Sequence, residues 1–254
     1  MENHAKMKAI YVLWLRQLKR YLRSRARIIG SLGQPLLFLV ALGFGFGPIY
    51  QKAGGGNYLE FLAPGIIAMG ILFTSVFSGI EVIWDRQFGF LEETLVAPVS
   101  RLQIMIGRTL GGATVAVMQG LAVFALSVAF GFRPTSIMML PLALVFMMLI
   151  AIIFTALGTA IASRLEDMQG FQLIINFLIM PLFFLSGALF PLQGLPGQVL
   201  TIARFNPLTY GVDGLRGVLI GQAHFPLVLD FLVLSAVAIL LLAIGSYLFS
   251  KIQV

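Results

Sequence analysis

Cysteine is absent from this 254-residue sequence, so neither a disulfide nor a thiolate metal site can form. Histidine is nearly absent: His4 and His224 alone supply no ligand set for zinc. Charge is scarce as well. Charged residues make up 11% of the chain, where soluble domains carry about a quarter. With 59% hydrophobic residues and a mean hydropathy of +0.98, a globule this size lacks the polar surface to cover itself. No G-x-x-x-x-G-K-[ST] run is present, which excludes phosphate cradling by a P-loop. The only neighbouring acids in sequence, Glu92-Glu93 and Glu166-Asp167, diverge by about 100 degrees on a helix and cannot converge on one substrate atom. Composition therefore predicts an integral membrane protein without catalytic or metal chemistry of its own.

What charge there is has a pattern. Eight of the seventeen cations precede Ile28 (Lys6, Lys8, Arg16, Lys19, Arg20, Arg23, Arg25, Arg27), directly before an apolar run. That placement marks a cytoplasmic membrane flank and argues against nucleic acid as the reason for the net charge of +7. The basic part is too long, and the apolar run after it too extended, for a cleaved signal peptide. As a helix, residues 1–27 put Tyr11, Leu15, Leu18 and Leu22 on one stripe and Arg16, Arg20, Arg23 and Arg27 on nearly the opposite one. An interfacial amphipathic helix, cations towards anionic head groups, is the expectation. Simple positive-inside anchoring accounts for the same residues.

Six stretches reach the roughly 20 apolar residues that a bilayer span requires. They are Ile28–Tyr50, Phe61–Ile83, Thr109–Phe130, Ile137–Ala162, Phe171–Gln193 and Leu227–Phe249. Pro35, Pro64 and Pro181 are expected kinks or span ends. With the N-terminus inside, thirteen cations fall on the cytoplasmic side and four outside, which places both termini in the cytoplasm. Residues 194–226, between spans five and six, are too polar for a span and too apolar for a solvated loop. Two short external amphipathic helices broken at Asn206-Pro207 fit them. The glycine pairs Gly43/Gly47 and Gly107/Gly111 have the spacing of close helix contacts.

The spans carry almost no ionisable residues: Glu81 and Asp85 lie near the cytoplasmic end of span two, Glu60 and Asp230 near outer ends. Nothing resembles a proton relay. Uncharged polarity remains, at Thr74, Ser75 and Ser78, at Gln119, and at Gln172 and Asn176. Helix–helix hydrogen bonding is one account of it. A substrate path lined by Phe73, Thr74, Phe77, Gln172, Asn176 and Phe183 is the other.

The stretch WDRQFGFLEETLVAPVSR, residues 84–101, links spans two and three on the cytoplasmic side. As a helix it gathers Phe88, Leu91 and Leu95 on one face beside Phe90, projects Glu92 and Glu93 elsewhere, and ends at Ala97-Pro98. Such a helix suits docking into a protein groove, or else lies in the lipid interface.

These residues resemble the cytoplasmic signature of the ATP-binding-cassette type-2 exporter permeases: acidic-Arg-x-x-Gly-x-Leu-x-x-x-Leu-x-x-Pro-x-Ser-Arg. Asp85, Arg86, Gly89, Leu91, Leu95, Pro98, Ser100 and Arg101 occupy its positions. LSGALFPLQGLP (185–196) and NPLTYGVDGLRG (206–217) form a second match, and the chain is similar to the drug-resistance, daunorubicin-type branch. Phe90 and Ala97 stand where many relatives have threonine.

The resemblance implies an all-α fold of six transmembrane helices in the cell (inner, cytoplasmic) membrane, working as a dimer with two separate ATPase subunits. A homodimer is the simpler arrangement. ATP and Mg would be bound by the partner ATPase and no cofactor by this chain. The coupling helix would use Asp85, Arg86, Gly89, Phe90, Leu91, Glu92, Glu93, Leu95, Pro98 and Arg101. The segment holding Asn206, Pro207, Tyr210, Asp213 and Arg216 would partly close the external exit. The substrate would be an amphiphile moved outward. Export of a lipid-linked glycan or polysaccharide, and a scaffold role without transport, are the alternatives.

Overall fold

In a computed structural model the described residues are 2–54, 56–90, 99–165, 167–192 and 196–250, with side chains from 7 to 249. They form helices and turns, with no strand among them. Helix α1 (Glu2–Arg23) is separated by Ser24 from α2 (Arg25–Lys52). Then come α3 (Tyr58–Phe77), α4 (Ile80–Gln87) and α5 (Arg101–Ala129). A short 3-10 turn leads into α6 (Leu140–Ala162). Next is a composite rod of α7 (Met168–Ile174), a π turn (Ile175–Ile179) and α8 (Met180–Phe184). Helices α9 (Gly197–Phe205), α10 (Pro207–Ile220) and α11 (Leu227–Ser250) complete the order.

Among the described residues five helices are long and apolar enough to cross a membrane: α2, α3 with α4, α5, α6 with its leading turn, and α11. The chain is an all-α integral membrane protein. The fifth expected stretch differs. Its helix covers Met168–Phe184, about 25 Å at 1.5 Å per residue, short of the roughly 30 Å hydrocarbon core. Residues 185–192 then turn and bury Ala188 and Leu189, so their apolarity comes from packing within the protein. Pro35 and Pro64 sit inside continuous helices and end no span, whereas Pro181 follows the π turn at the start of α8.

Helix α3 is the axis. Leu62, Ile66, Ile67, Met69, Ile71 and Leu72 have no exposed surface, and α2, α5, α6 and α10 surround them. Lipid is as apolar as these side chains, so close contact and dispersion hold the helices here in place of a hydrophobic drive. Glycine sets the approach. A Cβ on Gly79 would strike the backbone of Gly158, and one on Gly158 the backbone of Val76, so α3 and α6 touch main chain to main chain.

The Gly107/Gly111 pair also receives a helix: Cβ atoms there would meet Leu13 at 3.0 Å and Gln17 at 2.6 Å. That helix is α1, which runs alongside α5. It packs through a third stripe (Leu13, Trp14, Gln17, Tyr21) and leaves Tyr11 and Leu22 of the apolar stripe exposed. The other pair behaves differently. Gly43 meets a side chain of α3, Leu59 at 3.2 Å, while Gly47 faces open space, so the pair as a whole seats no helix among the described residues.

Candidate functional site

At the basic end of the bundle, α4 carries two acids one turn apart, Glu81 and Asp85, exposed by 4% and 5%. Buried carboxylates need partners, and the arginine stripe of α1 and α2 supplies them. Arg16 Nη2 donates to Asp85 Oδ1 at 2.8 Å, and Arg27 Nη1 to Glu81 Oε1 at 3.0 Å, with Arg20 at 3.8 Å from Glu81. From the other side Arg108 of α5, itself 4% exposed, bonds Asp85 Oδ2. Three of the stripe's cations are thus turned towards α4. Arg20 also lies over the ring of Trp84 at 5.1 Å and Arg16 over Phe90 at 4.7 Å.

Arg86 leaves on a different side. Its guanidinium donates to the carbonyls of Ser163 and Leu165, each at 2.9 Å, and so satisfies acceptors just past the C-terminus of α6. Gly89, at φ +75°, ends α4 in the left-handed conformation that suits glycine. The chain is next described at Val99. Ser100 and Gln103 then form a reciprocal capping box that starts α5 at Arg101. Asp85, Arg86, Gly89, Phe90 and Arg101 therefore frame the linking segment. Leu91, Glu92, Glu93, Leu95 and Pro98 lie outside the described residues.

The expected path residues separate. Phe73, Thr74 and Phe77 line a cavity of about 380 Å³ between α2 and α3, with Tyr21, Ser31 and Gln34 opposite. Phe183 is buried against Phe73, centroids 6.2 Å apart, behind that wall. Gln172 and Asn176 are not part of it. They bond each other at 3.2 Å on an exposed face beside Leu173 and Phe177. Gln119 sits behind the cavity: its Oε1 accepts from Tyr21 at 2.9 Å and from Ser31 at 3.0 Å.

At the opposite end each expected gate residue ties α10 down. Asn206 caps the helix by accepting from Leu208 N and donates Nδ2 to the Leu182 carbonyl, while Pro207 opens its first turn. Tyr210 donates to the Arg204 carbonyl at 2.8 Å and stacks on Phe225. Asp213 accepts the backbone N–H groups of His224 and Phe225. Arg216 donates to the carbonyls of Phe61 and Gly187 and lies 3.9 Å over the Phe61 ring. Burial lowers its guanidinium to about 10 against the opposing effect of Asp213, so it stays charged at neutral pH. Asp230, in the first turn of α11, is fully buried with no bonded partner for either oxygen among the described residues.

The residues that sequence reasoning passes over are Arg108 and the pairing of the two stripes. Their signal is present in the spacing of Glu81/Asp85 and Arg16/Arg20, each i, i+4.

A family model described as ABC-2 type transporter matches residues 8–220. Nodulation protein J of Rhizobium leguminosarum bv. trifolii is 30% identical over 214 residues, 84% of this chain and 79% of that protein. The protein named "Putative transport permease ycf38" of Cyanophora paradoxa is 31% identical over 214 residues, covering 82% of this chain and 72% of its own length. Nodulation protein J of Rhizobium meliloti (strain 1021) is 29% identical over 199 residues, 78% and 75% of the two chains.

Proposed function

The chain belongs to the ABC-2 type transporter family, and on that premise we propose that it is the permease subunit of an ATP-driven exporter of amphiphiles, with ATP hydrolysed by two partner subunits. The observation that carries the mechanism is the clamping of α4 on three sides. Arg16 holds Asp85 from α1, Arg108 holds it from α5, and Arg86 grips the end of α6. This frame ties α4, at one end of the linking segment, to α1, α5 and α6.

A partner ATPase seated on residues 90–98 can then drive the permease, provided it binds the two conformations with different affinity. In this reading the basic end faces the cytoplasm with both termini, the membrane is the cytoplasmic one, and Glu92 and Glu93 meet the partner. The composite rod α7–α8 serves as a further crossing, the sixth. Its exposed amide pair Gln172–Asn176 supports a homodimer, because two amides facing lipid are unfavourable and a second copy would cover them. Helices α9 and α10 close the outer exit. The daunorubicin-like resemblance favours a drug-like or lipid-like substrate.

The test is the double charge reversal Glu92→Lys/Glu93→Lys, assayed for membrane insertion, ATPase copurification and export. Normal insertion with loss of ATPase binding or of export is expected. Unimpaired binding together with unimpaired export would remove these residues from the coupling role.

A further inference from the structure

Three cavities run in series from the basic end into the bundle. The outermost is an open groove of about 840 Å³ bordered by Arg16, Lys19, Arg20, Arg23 and Trp84, with Asp85 as its acid. It shares Arg20 and Trp84 with a second cavity of about 260 Å³, which also touches Arg27, Glu81 and Phe77. That one shares Arg27 and Phe77 with the 380 Å³ cavity between α2 and α3.

The walls change along this series. Among the described residues, five cations (Arg16, Lys19, Arg20, Arg23, Arg27) face two carboxylates, Glu81 and Asp85, over the outer part. No acid lines the inner cavity among the described residues. Met69, Phe73, Phe77 and Pro35 make it apolar, and Ser31, Gln34 and Thr74 add hydrogen-bonding groups beside Arg27. Arg27 commits Nη1 to Glu81, but its guanidinium has five N–H donors and its side chain is 32% exposed.

We propose that this series binds an anionic amphiphile, its headgroup at Arg27 and its apolar body between α2 and α3. Unbalanced positive charge beside a low-dielectric cavity favours an anion and disfavours a cation or a zwitterion. The apolar inner wall rejects a free hydrated anion, because its hydration would be lost without replacement. Volume agrees, since pockets for drug-sized molecules measure about 300–1,000 Å³. The proposal names the substrate class of the transport reading and rests on it for the direction of supply, from the leaflet at the basic end.

Native mass spectrometry of the full chain in a non-ionic detergent tests it. The probes are short-chain phosphatidic acid, phosphatidylcholine with the same chains, and inorganic phosphate. Phosphatidic acid is expected to bind about tenfold more tightly than phosphatidylcholine, with no saturable binding of phosphate. Gly30 borders the inner cavity, and a Cβ there meets nothing within 4 Å. Gly30→Leu therefore fills the space while improving helix propensity, and phosphatidic acid binding should fall about tenfold or more. Arg27→Gln should weaken it by a similar factor. Arg25→Gln removes the same charge from an exposed position bordering none of the three cavities and should change binding by less than about twofold.

Equal affinity for the two lipids, saturable binding of phosphate alone, or full binding by Gly30→Leu would each overturn the assignment. Equal losses in Arg27→Gln and Arg25→Gln would do so too, by showing general surface attraction. Selective binding in a protein that exports nothing would leave the cavity assignment standing and sink the transport reading.

Discussion

Replacing Asp85 with asparagine keeps the shape of a 5% exposed side chain and removes the one negative charge shared by two arginines. The two arginines respond differently. Arg16 is 35% exposed and can return to water, so its share costs under about 1 kcal/mol. Arg108 cannot: it is 4% exposed, and its Nε and Nη1 already lack partners among the described residues. Stranding such a charge costs about 3–5 kcal/mol. At about 2–4 °C per kcal/mol for a chain of this length, Asp85→Asn should lower the thermal midpoint by about 6–20 °C.

Tryptophan fluorescence in a non-ionic detergent reads the transition well. Trp14 and Trp84 are the only two tryptophans, on α1 and α4. Arg16→Gln should shift the midpoint by no more than about 4 °C. The double change Asp85→Leu/Arg108→Met should recover most of the loss, because replacing both members of a buried pair is often neutral. An Asp85→Asn midpoint no lower than that of Arg16→Gln would refute the claim that the buried side of this triad holds α4 in place.

The close approach of α3 and α6 gives another test: Gly158→Ala should cost about 1–3 kcal/mol by forcing the backbones apart, while Gly45→Ala, whose Cβ meets nothing, should stay within about 0.5 kcal/mol of the parent. Equal stability of the two variants would show that the contact is not needed. The lack of cysteine makes topology easy to probe. Ala53→Cys should react with an impermeant maleimide on intact cells and Arg164→Cys only after permeabilisation; the reverse pattern would invert the proposed orientation.

Long helices are legible in the sequence because an apolar run of about 20 residues has few other uses. A buried turn imitates one, however. Residues 185–192 read as the continuation of a span, yet they are apolar because Ala188 and Leu189 pack inside, with Tyr58 donating to the Leu189 carbonyl. The path residues were divided by something no pattern shows. A π turn at 175–179 resets the helical phase, so Phe183 points into the bundle while Gln172 and Asn176 point out. The arginine stripe of α1 and α2 meets its acids across 54 to 69 positions, and two complementary stripes do not reveal which cation meets which acid. The break at Asn206-Pro207, by contrast, is local chemistry, and it appears where proline and an N-cap predict it.

The burial of α3 has a consequence for how this protein can change over generations. Of its most apolar eighteen-residue stretch 83% is buried, against 11% for α2 and 17% for α11. Lipid chains accept leucine, valine or phenylalanine alike, so α2 and α11 can drift among apolar residues at little cost. Helix α3 has no such freedom, since every change there must suit four neighbouring helices at once. Divergence between descendants of this chain should therefore fall on its outer helices, with α3 the slowest segment to change.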